Sequence, residues 1–178
     1  MAPTFPPRRR LPALPWQAWR RYRTPGSPLA DLVLNSAWKA GPMAEAGGPF
    51  MISLTQFTTT HIADVPDIWR ASERLGDQLA QIDGAVGVLT YIRPWRRQVG
   101  SLSIWADERG LSTFIGLPYH VEIMRKYKTR GLPIRSAKWW AGEFRIGAAM
   151  MASLRMLDSH PGRRVTGAPG EGPVVSPR

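Results

Sequence analysis

The order in which two kinds of hydrophobic spacing follow one another constrains the fold of this chain more than any other feature. Between Met51 and Phe144, four segments show the two-residue alternation of β-strands, and two regions between them show the three- and four-residue spacing of amphipathic helices. The predicted order is therefore strand, helix, strand, strand, helix, strand. The four predicted strands are Met51–Thr58, Ala85–Arg93, Ser101–Trp105 and Ile134–Phe144.

Capping residues, in addition to hydrophobic spacing, indicate where the two helical regions begin and end. Asp64 is the predicted N-cap of the first helix, with Pro66 in its first turn, and Gly84 follows its end. The second region begins at Asp107 and is interrupted once by Gly-Leu-Pro at 116–118. The side chains that form one stripe on the first helix are Ile68, Ser72, Leu75, Leu79 and Ile82.

This order predicts an α+β fold of the ferredoxin-like type, βαββαβ, with an antiparallel sheet and both helices on one face. The other face then needs a cover, because an apolar sheet face in water implies a partner or a ligand. The simplest solution is a second copy of the chain packed sheet to sheet, which makes a homodimer. The apolar side chains expected on this second face are Leu89, Tyr91, Trp105 and Trp139 or Trp140.

The composition on either side of this block predicts tails. Residues 1–50 are rich in proline and are predicted to form a disordered, basic extension. Residues 51–157 are predicted to be the folded domain, with a further helix at its end. Residues 158–178 are rich in Pro and Gly and are predicted to be a disordered tail.

The beginning of the chain leaves three interpretations open. The first is the disordered extension, and the second is a targeting peptide, since an Arg-rich and acid-free start has that composition. The third is that translation begins at Met43 or Met51 rather than Met1, because the sequence begins to look folded at Met51.

The net charge of +11 belongs mostly to the extension. Six arginines precede the first acidic residue, Asp31, whereas residues 51–150 carry 13 basic and 9 acidic side chains, an excess of four. We therefore predict no basic groove on the fold itself. The chain has no cysteine and no apolar stretch near the roughly 20 residues of a membrane helix, which favours a reducing, cytoplasmic location.

Several motifs of common enzyme classes are missing from the sequence. It has no Gly-rich phosphate loop, no Ser-centred nucleophile elbow, and no His and carboxylate cluster with metal-ligand spacing. These absences weaken the kinase, dehydrogenase, hydrolase and metalloenzyme interpretations.

One segment carries a more specific pattern, SLSIWADERGLSTFIGLPYHVEIMRKY at 101–127. A strand ends in Trp105, the acidic Asp107 opens a helix, Phe114 follows, and His120 lies after a small break. In this pattern the chain resembles the dimeric α+β barrel superfamily, which includes antibiotic-biosynthesis monooxygenases and spheroidene-monooxygenase-like proteins. The resemblance extends over about residues 51–144.

The resemblance implies a small-molecule pocket between the sheet and the helices of each subunit. Members of the superfamily oxidise polyketide or quinol-like molecules without a metal, or degrade haem. The chain would then be a monooxygenase-like oxidoreductase for a small apolar or aromatic molecule, with either no cofactor or haem. Haem-degrading relatives use an Asn where this chain has Gln56, which argues against haem degradation.

The resemblance also assigns roles to particular residues. His120 and Trp105 would be catalytic, and His120 would also be the ligand if haem iron were bound. The residues that would bind the substrate are Phe114, Tyr119, Tyr91 and Trp139. The plainer alternative is that these aromatic rings pack the core and that His120 is an ordinary helix histidine.

Two other functions stay open at this level. RNA-recognition modules have the same βαββαβ order and place aromatic residues on an open sheet face. Their third strand carries a basic residue and alternating aromatics, whereas the third strand here offers only Trp105, so RNA binding ranks second. The third interpretation is a dimer that binds a small apolar ligand without catalysis, which the sequence does not separate from an enzyme.

Overall fold

The computed structural model describes residues 20–22, 32–160, 164–166 and 174–176. Four helices lie within this part of the chain: α1 (Asp64–Gln78), α2 (Glu108–Gly116), α3 (Pro118–Thr129) and α4 (Ile146–Ser159). The strands are β1 (Arg20–Tyr22), β2 (Val33–Asn35), β3 (Lys39–Ala40), β4 (Phe50–Thr58), β5 (Ala85–Arg93), β6 (Gln98–Trp105), β7 (Ile134–Ala141), β8 (Arg164–Thr166) and β9 (Val174–Ser176).

The strands β2–β7 pair antiparallel throughout, and the four long strands lie in the order β5-β6-β4-β7. The chain order of these strands, with α1 between β4 and β5 and α2–α3 between β6 and β7, confirms the predicted α+β class. This arrangement is compatible with a ferredoxin-like fold. The four predicted strands are all present, and their ends differ from the prediction by at most three residues.

The first face of the sheet is covered by α1, α2 and α3. The predicted stripe of α1 points inward, since Ile68, Leu75 and Leu79 are buried. The sheet contributes Met51 and Trp105, which lie opposite each other in the β4–β6 register, to the same core. The helices of this layer therefore pack on one face of the sheet. That face is apolar because alternate side chains of each strand point toward it.

The second face of the sheet is covered by α4 and by the segment before β4. Leu154 and Leu157 of α4 pack in one buried cluster with Ile52, Leu54 and Leu89 of the sheet. The expectation of an uncovered apolar face is therefore wrong, because the chain covers this face with its own last predicted helix. Sheet-to-sheet pairing with a second copy would require α4 to leave it.

A β-bulge in β5 changes which side chains share a face. The register shifts between Ala85 and Gly87, so that Val86 lies on the second face and Val88 on the first, instead of both on one face. A bulge inserts one extra residue and so breaks the simple alternation. Trp105 was also expected on the second face, and it lies on the first.

The folded region begins earlier than residue 51. Val33 and Asn35 of β2 are almost fully buried, and Asn35 pairs with Tyr91 of β5. Trp38 lies over Gly87, where an added Cβ would approach its ring to 2.1 Å, so this contact requires glycine. Residues 32–50 thus belong to the domain, contrary to the predicted boundary.

The predicted tails lie largely outside the described residues. The disorder expected for 1–19 and 23–31 falls there, as it does for 161–163, 167–173 and 177–178. Within the predicted C-terminal tail, β8 pairs parallel with β7 and antiparallel with β9, so a wholly disordered tail is wrong at these strands. Among the described helices, none has both the length and the apolar character needed to cross a bilayer.

Candidate functional site

The break between α2 and α3 positions the predicted catalytic histidine. Asp107 caps α2 by accepting a hydrogen bond from the Gly110 backbone N–H at 2.7 Å, which fixes the helix start directly after β6. Leu117 has an extended backbone (φ −55°, ψ 133°), and Pro118 then begins α3. This turn places His120, in the first turn of α3, back against α2.

An aromatic series runs from the core to this turn. The rings of Trp105 and Phe114 have centroids 5.3 Å apart, and those of Phe114 and His120 lie 5.2 Å apart, tilted at 46° and 60°. Trp105 is fully buried and donates its indole N–H to Ser103 Oγ at 2.9 Å. Three of the predicted site residues, Trp105, Phe114 and His120, are therefore in one contact series.

The environment of His120 favours the neutral imidazole. Burial lowers the pKa of His120 below its ordinary value, and a hydrogen bond to the backbone of Ile115 opposes this shift only in part. A half-buried neutral imidazole can accept a proton from a bound hydroxyl group, which is the behaviour of a general base. The series thus ends in a side chain that can do proton chemistry.

Tyr119 precedes His120 in the chain and lines a cavity on the helix side of the sheet. The cavity has a volume of about 380 Å³, opens to solvent, and lies between the end of α1 and the start of α3. Of the six predicted site residues, Tyr119 lines it. The other lining residues are polar and belong to α1 or the turn that follows: Arg74, Asp77, Gln78 and Gln81.

Tyr91 and Trp139 lie on the opposite side of the sheet. Tyr91 is fully buried against α4's layer, with its hydroxyl 3.4 Å from Gln56 Nε2. Trp139 donates its indole N–H to Ser153 Oγ of α4 at 3.2 Å. The sheet separates both residues from His120, so one pocket cannot hold all six predicted residues.

A polar cluster on this second face joins Arg93 to Asp158, a pairing that was not predicted from the sequence. Arg93 is only 3% exposed and pairs with Asp158 near the end of α4, and burial raises the pKa of the neighbouring Tyr91. Arg135 lies close by, and burial lowers its pKa. Tyr91 and Arg93 are two residues apart on one strand, so their side chains lie on the same face of the sheet. This spacing could not show where Asp158 lies.

The residues around His120 do not fit haem. His120 lines neither the 380 Å³ cavity nor the smaller one on the second face. Its ring instead contacts Phe114, and Trp105 fills the space beneath. Among the described residues, there is also no group of three or more His, Cys, Asp or Glu side chains placed to hold a metal ion.

Comparison with known proteins assigns no family to this arrangement. No protein-family model matches the chain, and neither the curated proteins nor the solved structures contain a match. The resemblance to the dimeric α+β barrels therefore stays a prediction drawn from the Trp105–His120 pattern.

Proposed function

We propose that this protein is a monooxygenase-like enzyme for a planar, phenolic small molecule, working without haem or a metal ion at the break between α2 and α3. The observation that carries the proposal is the aromatic series of Trp105, Phe114 and His120, which ends in a half-buried neutral histidine beside Tyr119. The resemblance supports the reaction class, and the contacts between these rings support the proposed location.

His120 would remove the proton of a substrate hydroxyl group, because its lowered pKa keeps the ring neutral and able to accept. The electron-rich substrate anion would then react with O₂. One oxygen atom would convert a ring CH₂ to C=O, and the other would leave with the two hydrogens as water, so that electrons and atoms balance without a further reductant.

Tyr119 would bind the polar edge of the substrate. It follows the helix break directly and lines the 380 Å³ cavity, whose size lies in the ~300–1,000 Å³ range of small-molecule pockets. Because His120 does not line this cavity, the substrate would extend from it across the helix break, where its hydroxyl group would reach the His120 ring. Polar side chains of α1 on the opposite wall would hold hydroxyl or carbonyl groups, for which Gln78 is suited as both donor and acceptor.

The test uses 1,8-dihydroxyanthrone, a planar phenol whose CH₂ group can become C=O, and measures O₂ uptake and anthraquinone formation. We expect one O₂ per product and a loss of about a hundredfold in rate for His120→Gln, the lower end of general-base effects. His61→Gln is the matched control, since His61 is exposed in the loop before α1. Equal rates for wild type and His120→Gln would reject the proposal.

The same experiment separates the enzyme from a passive binder. Quenching of tryptophan fluorescence by the anthrone, without product above the rate in buffer, would favour a protein that binds apolar ligands without catalysis. That result would remove the reaction from the proposal.

RNA binding through the sheet is disfavoured by a specific observation. The module would need an open sheet face with exposed aromatics, but Tyr91 and Trp105 are each 0% exposed and helices cover both faces. The homodimer stays a prediction, and light scattering on the full chain tests it.

A further inference from the structure

The residues of α1 that line the 380 Å³ cavity have a helical spacing of their own. Arg74, Asp77, Gln78 and Gln81 recur at intervals of three and four residues, which places them on one side of α1 and of the turn that continues it. We call these four residues the polar stripe. Three of the four are followed directly by a buried residue, so the polar stripe borders the face of α1 that packs on the sheet.

A network of ion pairs holds Asp77 in place at the cavity wall. Lys39 Nζ donates to Asp77 Oδ1 at 2.7 Å and to the backbone oxygen of Glu73 at 2.8 Å, and it lies 3.1 Å from Glu73 Oε2. Thr90 of β5 donates to Glu73 Oε1 at 2.8 Å. A carboxylate can accept about four hydrogen bonds, so Asp77 can still accept one from a ligand.

The charges around this cavity nearly cancel. Among the lining residues, Arg74 contributes one positive charge and Asp77 one negative charge, and the Lys39 and Glu73 pair behind them is neutral as well. The C-terminal end of α1 adds about half a negative charge. A carboxylate or phosphate would therefore gain no net attraction, and a cation would meet Arg74. This balance favours a ligand group that is polar but uncharged.

The lining side chains offer hydrogen-bond donors and acceptors together. The Arg74 guanidinium only donates, the Asp77 carboxylate only accepts, and the two glutamine amides and the Tyr119 hydroxyl do both. Each hydroxyl group of a sugar also does both, and neighbouring hydroxyls are spaced so that one planar guanidinium, carboxylate or amide can bond two of them. The polar stripe therefore suits a group with several adjacent hydroxyls.

The shape of the cavity suits a sugar ring as well. Its volume of about 380 Å³ equals roughly a dozen water molecules at ~30 Å³ each, which is room for one hexose. The Tyr119 ring packs partly against the core and can offer an apolar surface to the C–H groups of a sugar. Because the cavity opens to solvent, the outer hydroxyls could stay hydrated.

We propose that the substrate is a phenol that carries a sugar, with the sugar bound by the polar stripe and the phenol across the helix break at His120. This inference rests on the proposed function, because that function assigns the phenol to His120. Tyr119 and His120 are consecutive residues of α3, so the two ends of such a molecule would lie against neighbouring side chains. The polar stripe then determines specificity without taking part in the chemistry.

The test measures binding to the full-length protein by calorimetry in the absence of O₂. Three ligands are titrated separately: arbutin, which is hydroquinone carrying one glucose; 4-methoxyphenol, which is the same phenol without the sugar; and free glucose. We expect arbutin to bind at one site per chain and at least about tenfold more tightly than either of the others, because only arbutin makes the hydrogen bonds of both ends.

Two variants of the polar stripe locate the sugar. Arg74→Gln should weaken arbutin binding about tenfold, since it removes a charged hydrogen-bond donor, and Gln78→Leu should weaken it roughly fivefold. Both should change the affinity for 4-methoxyphenol less than about twofold, because that ligand has no sugar to lose contact with. Arg70→Gln is the matched control: Arg70 is exposed one turn earlier on α1 and does not line the cavity, so arbutin should bind this variant as it binds wild type.

Three results would overturn the inference. They are arbutin binding no tighter than 4-methoxyphenol, arbutin binding no tighter than glucose, or a loss in Arg70→Gln equal to that in Arg74→Gln. None of them decides the anthrone test, because 1,8-dihydroxyanthrone carries no sugar. Conversely, failure of the anthrone test with arbutin bound as expected would reject the oxygenase and retain the site for a phenolic glycoside.

Discussion

Trp139 of β7 donates its indole N–H to Ser153 Oγ of α4 at 3.2 Å, and this bond joins the last long strand to the helix that covers the second face of the sheet. Ser153 is fully buried, and the adjacent Leu154 is 2% exposed. A polar group at such a position needs its partner, because water cannot replace it. The helix α4 is therefore an integral part of the core.

Truncation of Leu157 tests this role of α4. Leu157 is 0% exposed and belongs to the cluster of the second face, so Leu157→Ala should lower the free energy of unfolding by about 2–5 kcal/mol. Urea denaturation followed by circular dichroism measures this change. Leu157→Met, which nearly conserves volume, should cost less than about 1.5 kcal/mol. If Leu157→Ala were as stable as wild type, α4 would not be packed on the sheet.

The hydrogen bond inside the first core gives a second prediction. Ser103→Ala removes the acceptor for the fully buried indole N–H of Trp105, and an unpaired buried donor costs about 1–3 kcal/mol. Guanidinium denaturation of the full chain measures the loss. Ser101→Ala is the control, because Ser101 lies two residues before Ser103 on the same face of β6. It should lower the free energy of unfolding by less than Ser103→Ala does. Equal losses in the two variants would contradict the role assigned to this bond.

The lowered pKa of His120 gives a third prediction, on pH. The unfolded chain has an ordinary histidine pKa near 6.5, so as the pH falls it binds a proton before the folded protein does. The stability owed to a neutral His120 is therefore complete above about pH 6.5 and is lost as the pH falls from there through the lowered pKa of the folded state. Denaturation at pH 7.5 and 5.5 should show a smaller pH dependence for His120→Gln than for wild type.

Titration of the His120 ring by NMR checks the same prediction directly, with His120→Gln used to assign its signal. A midpoint at or above 6.5 would contradict burial as the controlling influence. Asp67 does not titrate between pH 7.5 and 5.5, because its hydrogen bond from Lys126 lowers its pKa below 3.8. Its contribution to the free energy of unfolding is therefore lost only in more acidic solution.

The alternation of side chains predicted much of the sheet correctly, and its failures have identifiable physical causes. Ile52 and Leu54 share a face as expected, because β4 has no irregularity, whereas the bulge after Ala85 moves Val86 away from Val88. Periodicity also predicted a helix ending at Leu157 but could not place it, since contacts between distant segments leave no periodic signal.

The candidate site shows the same division. Trp105, Phe114 and His120 are close in sequence, and the short helices between them bring the rings into contact, so the pattern was sufficient to group them. Arg93 and Asp158 are 65 residues apart, and their pairing depends on where α4 docks. No local spacing could reveal it, and Asp158 was assigned to the tail.

The position of α4 near the end of the chain has a consequence for the synthesis of this protein on the ribosome. The strands β4–β7 are complete once residue 141 has been made, but the helix that shields their second face is finished only at residue 159. A chain without α4 would thus leave Ile52, Leu54 and Leu89 without the part of their cover that this helix supplies. Apolar surface that is exposed before folding is complete favours aggregation, so the docking of α4 also protects the sheet from contact with other chains.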